Sequence, residues 1–271
     1  DTDWNLDLAH PAASQSDIDY LLDHSNALLA QPLTRDDVVG VYAGLRPLLA
    51  GESDATSKLS REHAVVSPVA GMVIIAGGKY TTYRVMAQDA VDAAVRSMGR
   101  DVPNSVTENV LIVGADGYQA VWNQREAVAE RSGLHVARIE HLLQRYGTLV
   151  DELLAIVAEK PELGRPLQSA PRYLAVEAYY AAANEGALHL DDILTRRTRI
   201  SIDTWDRGDR AAEEVAGIVA PVLGWDDDTI AREVEHYRAR VAAERESQQQ
   251  PDDMTADAAR LGAPDVRLQT A

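Results

Sequence analysis

Beyond Thr81, nearly every stretch of this chain long enough to form an element carries its apolar residues at helical spacing. That periodicity confines most of the polypeptide to an all-helical arrangement. It predicts helices over 118–131, 134–146, 148–159, 171–186, 210–223 and 227–245. Gly147 suits a helix C-terminus, Thr148 with Asp151 has the form of a Thr-x-x-Asp start, and Asp226 to Asp228 place negative charge where the last helix begins. Ile193–Asp203 reads as a helix end or an extended connector. Before Thr81 the pattern is mixed. Asp17–Ala30 reads as a helix ended by Pro32, Thr34 to Asp37 as a capping box, and Val38–Leu49 as a strand closed by Pro47. His63–Ser67 and Met72–Ala76 are β-rich runs joined by a turn at Pro68 and Gly71, and the segment from Val85 to Val95 is again helical. The expected fold is predominantly α, with a short α/β part over 1–100, a helical domain over 101–246 and a disordered polar tail over 247–271.

Charge narrows the function classes. Of 271 residues, 43 are acidic and 26 basic, a formal net charge of −17. A broad electrostatic footprint for nucleic acid or anionic lipid is therefore not expected, although a local cluster of Arg and Lys around an anionic substrate is compatible with it. With no cysteine, disulfides, thiolate catalysis and Cys-ligated metals are excluded. The histidines show no HExxH and no i, i+4 pairing; His135 and His141 fall on different helix faces, so no metal site is expected. No apolar run has the length of a membrane span and no basic-then-apolar leader is present, so the expected location is cytoplasmic. The sequence opens DTDWNLDLAH without an initiator Met and reads as a fragment of a longer polypeptide.

One stretch carries chemistry. In IAGGKYTTYR (Ile75 to Arg84) an apolar run ends in Gly77 and Gly78, and Lys79, Tyr80, Thr81 and Thr82 stand where a helix begins. Paired glycines permit positive φ and close backbone approach, and the unpaired N–H groups of a helix start favour an anion or an electron-rich carbonyl. A plain β–α turn is the bland alternative. The stretch is not a Walker A loop, and no GxGxxG occurs in the chain, so nucleotide hydrolysis is disfavoured. Arg46 at one apolar strand end and Arg61 before another could converge with Lys79 on a phosphate or carboxylate, or could pair with nearby acids such as Glu62. Arg196, Arg197 and Arg199 read as ion-pairing or subunit-contact residues, and Tyr179 and Tyr180 as helix-packing ones.

AGLRPLL (Ala43 to Leu49), LSREH (Leu59 to His63) and IAGGKYTTYR, in that order, closely resemble flavin-dependent glycerol-3-phosphate dehydrogenases. HLLQRYG (His141 to Gly147), Ala175 to Ser201 and Leu223 to Trp225 are similar to that family's C-terminal domain, so the likeness covers roughly residues 17–245. The resemblance implies oxidation of sn-glycerol 3-phosphate to dihydroxyacetone phosphate, FAD as cofactor and a quinone as acceptor, with oxygen as the acceptor in the related oxidases. It implies that Arg46 lies over the flavin beside the substrate as a catalytic group, that Arg61 binds the substrate phosphate and that Lys79 contacts substrate. Gly77, Gly78, Lys79, Tyr80, Thr81 and Thr82 then form the helix start facing the flavin. His63 receives no role. The family's FAD-binding GxGxxG unit is not in this chain, so the first part is expected to be the remnant of an FAD-linked domain. The isolated chain is then expected to be inactive and to hold no FAD tightly. The resemblance leaves room for peripheral membrane association at the inner face and for a homodimer. A non-catalytic helical dimerisation module is the reading from a different class.

Overall fold

The computed structural model describes residues 3–46 and 62–263. They divide into two compact units. One comprises residues 3–5, 44–46 and 62–112; the other comprises 6–43 and 113–263. The helical unit thus includes an N-terminal stretch that the sequence assigns to the first part.

That stretch carries α1 (Gln15–Asn26), where Ser14 and Asp17 form a capping box. The Thr34–Asp37 box also forms, with the Asp37 carboxylate accepting from the Thr34 N–H at 2.8 Å. That bond and a second, from the Thr34 hydroxyl at 2.9 Å, hold the Asp37 carboxyl below its usual range. The expected strand over Val38–Leu49 is not present. Residues 38–46 have no regular structure, and 47–49 lie outside the described residues. A β-branched run becomes a strand only when another strand accepts its backbone hydrogen bonds, and none pairs with this one among the described residues.

The smaller unit is built on an antiparallel hairpin. β1 (His63–Val66) pairs with β2 (Ile74–Gly77), with His63 opposite Gly77 and Val66 opposite Ile74. The helix α2 (Tyr83–Met98) packs against both strands and ends at Gly99 in the left-handed conformation. None of the described residues of this unit is buried. Val66, Val69, Met72, Ile74, Val85 and Val91 are all exposed.

The helical unit continues with α3 (Tyr118–Asn123), α4 (Arg125–Ser132), α5 (Val136–Tyr146), α6 (Val150–Glu159), α7 (Ala175–Ala183), α8 (Ile200–Asp203), α9 (Ala212–Leu223), α10 (Asp227–Ser247) and α11 (Asp253–Leu261). Periodicity explains the core. In α5, Ile139, Leu142, Leu143 and Tyr146 are the buried residues, spaced i, i+3, i+4, i+7. In α9 the buried set is Ala212, Val215, Ala216, Val219 and Ala220. Small residues on α9 let α7 approach it closely, and α7 is buried almost all round. Ile193–Asp203 is neither a simple end nor extended: residues 192–197 form a π-helical turn that runs into α8. The tail expected to be disordered carries α11, capped by the Asp252 side chain on the Thr255 N–H, and Ala256 is fully buried.

Two features fix this packing. Gly147 has φ +59°, and a Cβ there would overlap the carbonyl oxygen of Gly114, which accepts a hydrogen bond from the Thr148 N–H at 2.9 Å. The most buried carboxylate of the core is also paired. Glu177 is fully buried and receives the Leu174 N–H at 2.8 Å, the Tyr146 hydroxyl at 3.3 Å and His141 Nε2 at 3.0 Å, with Arg145 Nε 3.2 Å away. The chain has ten Tyr and no Phe, so every buried aromatic of this core brings a hydroxyl. Tyr173 bonds Asp203 at 2.5 Å, Tyr180 bonds Glu152 at 2.7 Å and Tyr237 bonds the Arg207 carbonyl at 2.5 Å. Burial pushes the Tyr180 hydroxyl up to about 12, and also raises Tyr146, Tyr173 and Tyr237 well above the ordinary phenol value.

Candidate functional site

β2 ends in two residues that only glycine adopts readily: Gly77 at φ +75° and Gly78 at φ +83°. A side chain on Gly78 would also press on Met86 and on the Cβ of His63, so the position is closed sterically as well as conformationally. Lys79 returns to extended backbone (φ −120°, ψ 151°), and Tyr80–Thr82 then form a 3₁₀ turn leading directly into α2. The Thr82 hydroxyl accepts from the Lys79 N–H at 3.3 Å and donates to the Lys79 carbonyl at 2.9 Å. It is therefore committed to holding the turn. The N–H groups of Tyr80 and Thr81 sit at the first two positions of that turn, where geometry gives them no intrahelical acceptor. No acidic residue occupies the first turn of α2, and Lys79, Tyr80 and Thr81 are exposed. The turn thus presents backbone donors, a helix dipole and a mobile ammonium on one contiguous segment, which suits an acceptor atom that carries or gains negative charge.

The predicted site residues are only partly gathered. Gly77 to Thr82 form this one turn. Arg46 is exposed at the end of the described N-terminal stretch, and Arg61 lies outside the described residues. His63 adjoins the turn through its pairing with Gly77, and its Nε2 lies 2.7 Å from the Asp89 carboxylate on α2. That contact joins residues 26 apart, and nothing in the sequence pattern announces it.

In the helical unit the ion-pairing read for the basic run holds at Arg196, which pairs with Asp191 at 2.5 Å and Asp192 at 3.1 Å, whereas Arg197 donates to the Glu185 carbonyl at 3.0 Å. Tyr180 packs as expected, while the Tyr179 hydroxyl receives the Lys160 ammonium at 2.7 Å. Sequence reasoning missed His10, which is buried and met by both terminal nitrogens of Arg240. Among the described residues no group of three or more His, Asp or Glu could hold a metal ion, and no helix is long and apolar enough to cross a membrane.

The profile of a family described as the C-terminal domain of alpha-glycerophosphate oxidase matches residues 105–230. The chain is 62% identical over 267 residues to glycerol-3-phosphate dehydrogenase of Mycobacterium leprae, covering 98% of this chain and 46% of that protein. It is likewise 62% identical over 269 residues to glycerol-3-phosphate dehydrogenase 2 of Mycobacterium tuberculosis (99% and 46%). With the mitochondrial glycerol-3-phosphate dehydrogenase of Arabidopsis thaliana it shares 31% identity over 250 residues (86% and 39%). A crystal structure of glycerol-3-phosphate dehydrogenase from Bacillus halodurans complexed with FAD superposes at TM-score 0.72 and 25% identity, over 89% of this chain and 47% of that one. The chain spans about half the length of the curated relatives it matches. Helical architecture, domain match and these identities agree, and the chain belongs to the glycerol-3-phosphate oxidase/dehydrogenase family, of which it carries the C-terminal domain.

Proposed function

We propose that this chain supplies part of the substrate and flavin site, together with the C-terminal domain, of an enzyme that oxidises sn-glycerol 3-phosphate to dihydroxyacetone phosphate. The observation that carries the reading is the Gly77–Thr82 turn, with unpaired N–H groups at Tyr80 and Thr81 and Lys79 beside them. Those residues fit FAD: two left-handed glycines let the backbone approach a flat ring closely, and donors at a helix start would stabilise negative charge building up on its carbonyl edge. When bound, the flavin supplies the hydride acceptor. Lys79 and Arg46 hold the substrate hydroxyl end in register, and Arg61 takes the phosphate. Electrons pass on to a quinone, from a cytoplasmic enzyme resting on the inner face of the membrane.

Replacing Arg61 by Ala in the full-length enzyme is expected to raise KM and Kd for the phosphorylated substrate about 10- to 100-fold, the loss of one strong charge-assisted contact. Unchanged values for both would sink the assignment. Lys79→Ala is expected to lower kcat as well as binding, because the ammonium lies where charge changes during the reaction. A second reading, with oxygen as acceptor, draws support from the matching domain's description as that of an oxidase. Stoichiometric peroxide in air, without reduction of a quinone analogue, would favour it.

A further inference from the structure

The helical unit encloses a cavity of about 500 Å³, bounded by residues 9–13, residues 41–43, the stretch from Asp191 to Ile202, and helices α10 and α11. Five arginines line it, Arg196, Arg199, Arg207, Arg240 and Arg260, against two carboxylates, Asp191 and Glu244. Asp192 also pairs with Arg196, at 3.1 Å, so in a chain of net charge −17 the cluster keeps a local surplus of two positive charges. A cluster of like charges destabilises a fold unless something of opposite sign enters it.

The internal pairings leave donors over. Arg207 is held by Glu244 at 2.6 Å, and Arg196 by Asp191 at 2.5 Å. The Arg240 side chain is more than nine-tenths buried, yet its Nε makes no hydrogen bond and stands 4.0 Å from Asp191. Its two terminal nitrogens face both nitrogens of His10, at 3.2 and 2.9 Å. A neutral imidazole has one acceptor nitrogen, so at least one of those contacts sets N–H against N–H. Arg260 gives one bond to the Arg240 carbonyl and lies 3.7 Å from Glu244; burial, and then Arg240 beside it, hold its guanidinium below the ordinary range. The Ser201 hydroxyl is buried without a partner. Arg199 takes a left-handed φ of +63°, uncommon for any residue but glycine, and it lines the cavity with no hydrogen bond or ion pair to the described residues.

Surplus donors, a shortage of acceptors and a volume within the range of small-ligand pockets point to an anionic guest. We propose that this cavity binds a small multivalent oxyanion of the phosphate-monoester class, taken up by Arg199, Arg240 and Arg260 with the Ser201 hydroxyl. Planar guanidinium forks match the edges of a tetrahedral oxyanion, and a doubly charged guest matches the surplus. All lining residues belong to the helical unit, so the proposal does not depend on the flavoenzyme reading.

Calorimetric titration of the purified chain at constant ionic strength, with inorganic phosphate and then pyrophosphate, tests it. Saturable one-to-one binding is expected, with affinity falling about tenfold in Arg199→Gln, an exposed position whose change should spare the fold, and further in Arg199→Gln/Arg260→Gln. Arg131→Gln, exposed on α4 and outside the cavity, should bind like the parent chain. Co-sedimentation with phosphatidylcholine vesicles containing phosphatidic acid separates a lipid headgroup from a soluble phosphate as the source. Binding in either arm, weakened by Arg199→Gln, sustains the proposal. No saturable binding of the soluble probes up to about 10 mM together with none to vesicles, or equal binding by Arg199→Gln and the parent, overturns it.

Discussion

At the scale of single residues, the fold depends on positions where the backbone leaves no choice. Gly147 holds φ +59° directly against the Gly114 carbonyl, so Gly147→Ala adds a strained dihedral and a backbone clash together. Unfolding in urea should show a loss of about 2 kcal/mol or more; an unchanged midpoint would refute this account of the crossing. The sequence pointed to Gly147 as a helix terminator, but the partner it touches lies 33 positions away and leaves no local trace. Asp191 is a second such residue. Burial alone would raise its pKa, but Arg240 and Arg196 outweigh burial and hold it below the usual carboxylate range. Its folded value is therefore depressed relative to the unfolded chain, so its stabilising contribution is present above about pH 4 and is lost as pH falls through the folded value. Asp191→Asn should flatten the acid limb of the stability profile, measured as Tm against pH between about 2 and 5. An acid limb identical to that of the parent would show that the pair does not control it.

At the scale of elements, the helices were the most legible part of the chain. α5, α9 and α10 follow their apolar spacing, and the structure moves their ends by only a residue or two, as frayed termini do. The hairpin and the Gly77–Gly78 turn were likewise readable, because two short apolar runs and a pair of glycines carry local signals. The strand expected from Val38 failed because strand formation is decided by a partner, which local sequence does not specify. α11 was missed because it is only nine residues long and sits in a stretch rich in Gln, Asp and Pro, so its apolar stripe spans barely two turns. Its one advance sign was the Asp252-to-Thr255 spacing of an N-cap. Yet α11 packs on α10, buries Ala256, and sends the Arg260 guanidinium to the Arg240 carbonyl at 2.9 Å. Truncation after Gln250 should therefore cost about 2 kcal/mol, a fall in Tm of roughly 4–8 °C. An unchanged Tm would return the segment to the status of a passive tail.

At the scale of the whole molecule, the two units differ in what holds them together. The helical unit has a continuous core running from Val128 to Val241, whereas no described residue of the hairpin unit is buried. Brief proteolysis should accordingly cut first within 62–112 and leave the helical unit standing; simultaneous loss of both would show that they unfold as one. Val66, Met72, Ile74 and Val85 of that unit are exposed, and the purified 271-residue chain is expected to carry no flavin absorption band. A yellow preparation would contradict that. The absence of Phe has an optical consequence. Because Tyr146, Tyr173, Tyr180 and Tyr237 all keep their protons more firmly folded than unfolded, the stabilisation they give is complete below about pH 10 and is lost only as alkalinity rises through their folded values. Phenolate absorbance from these four should therefore appear late and as a cooperative step, making the ultraviolet spectrum in strong base a built-in reporter of when the helical core gives way.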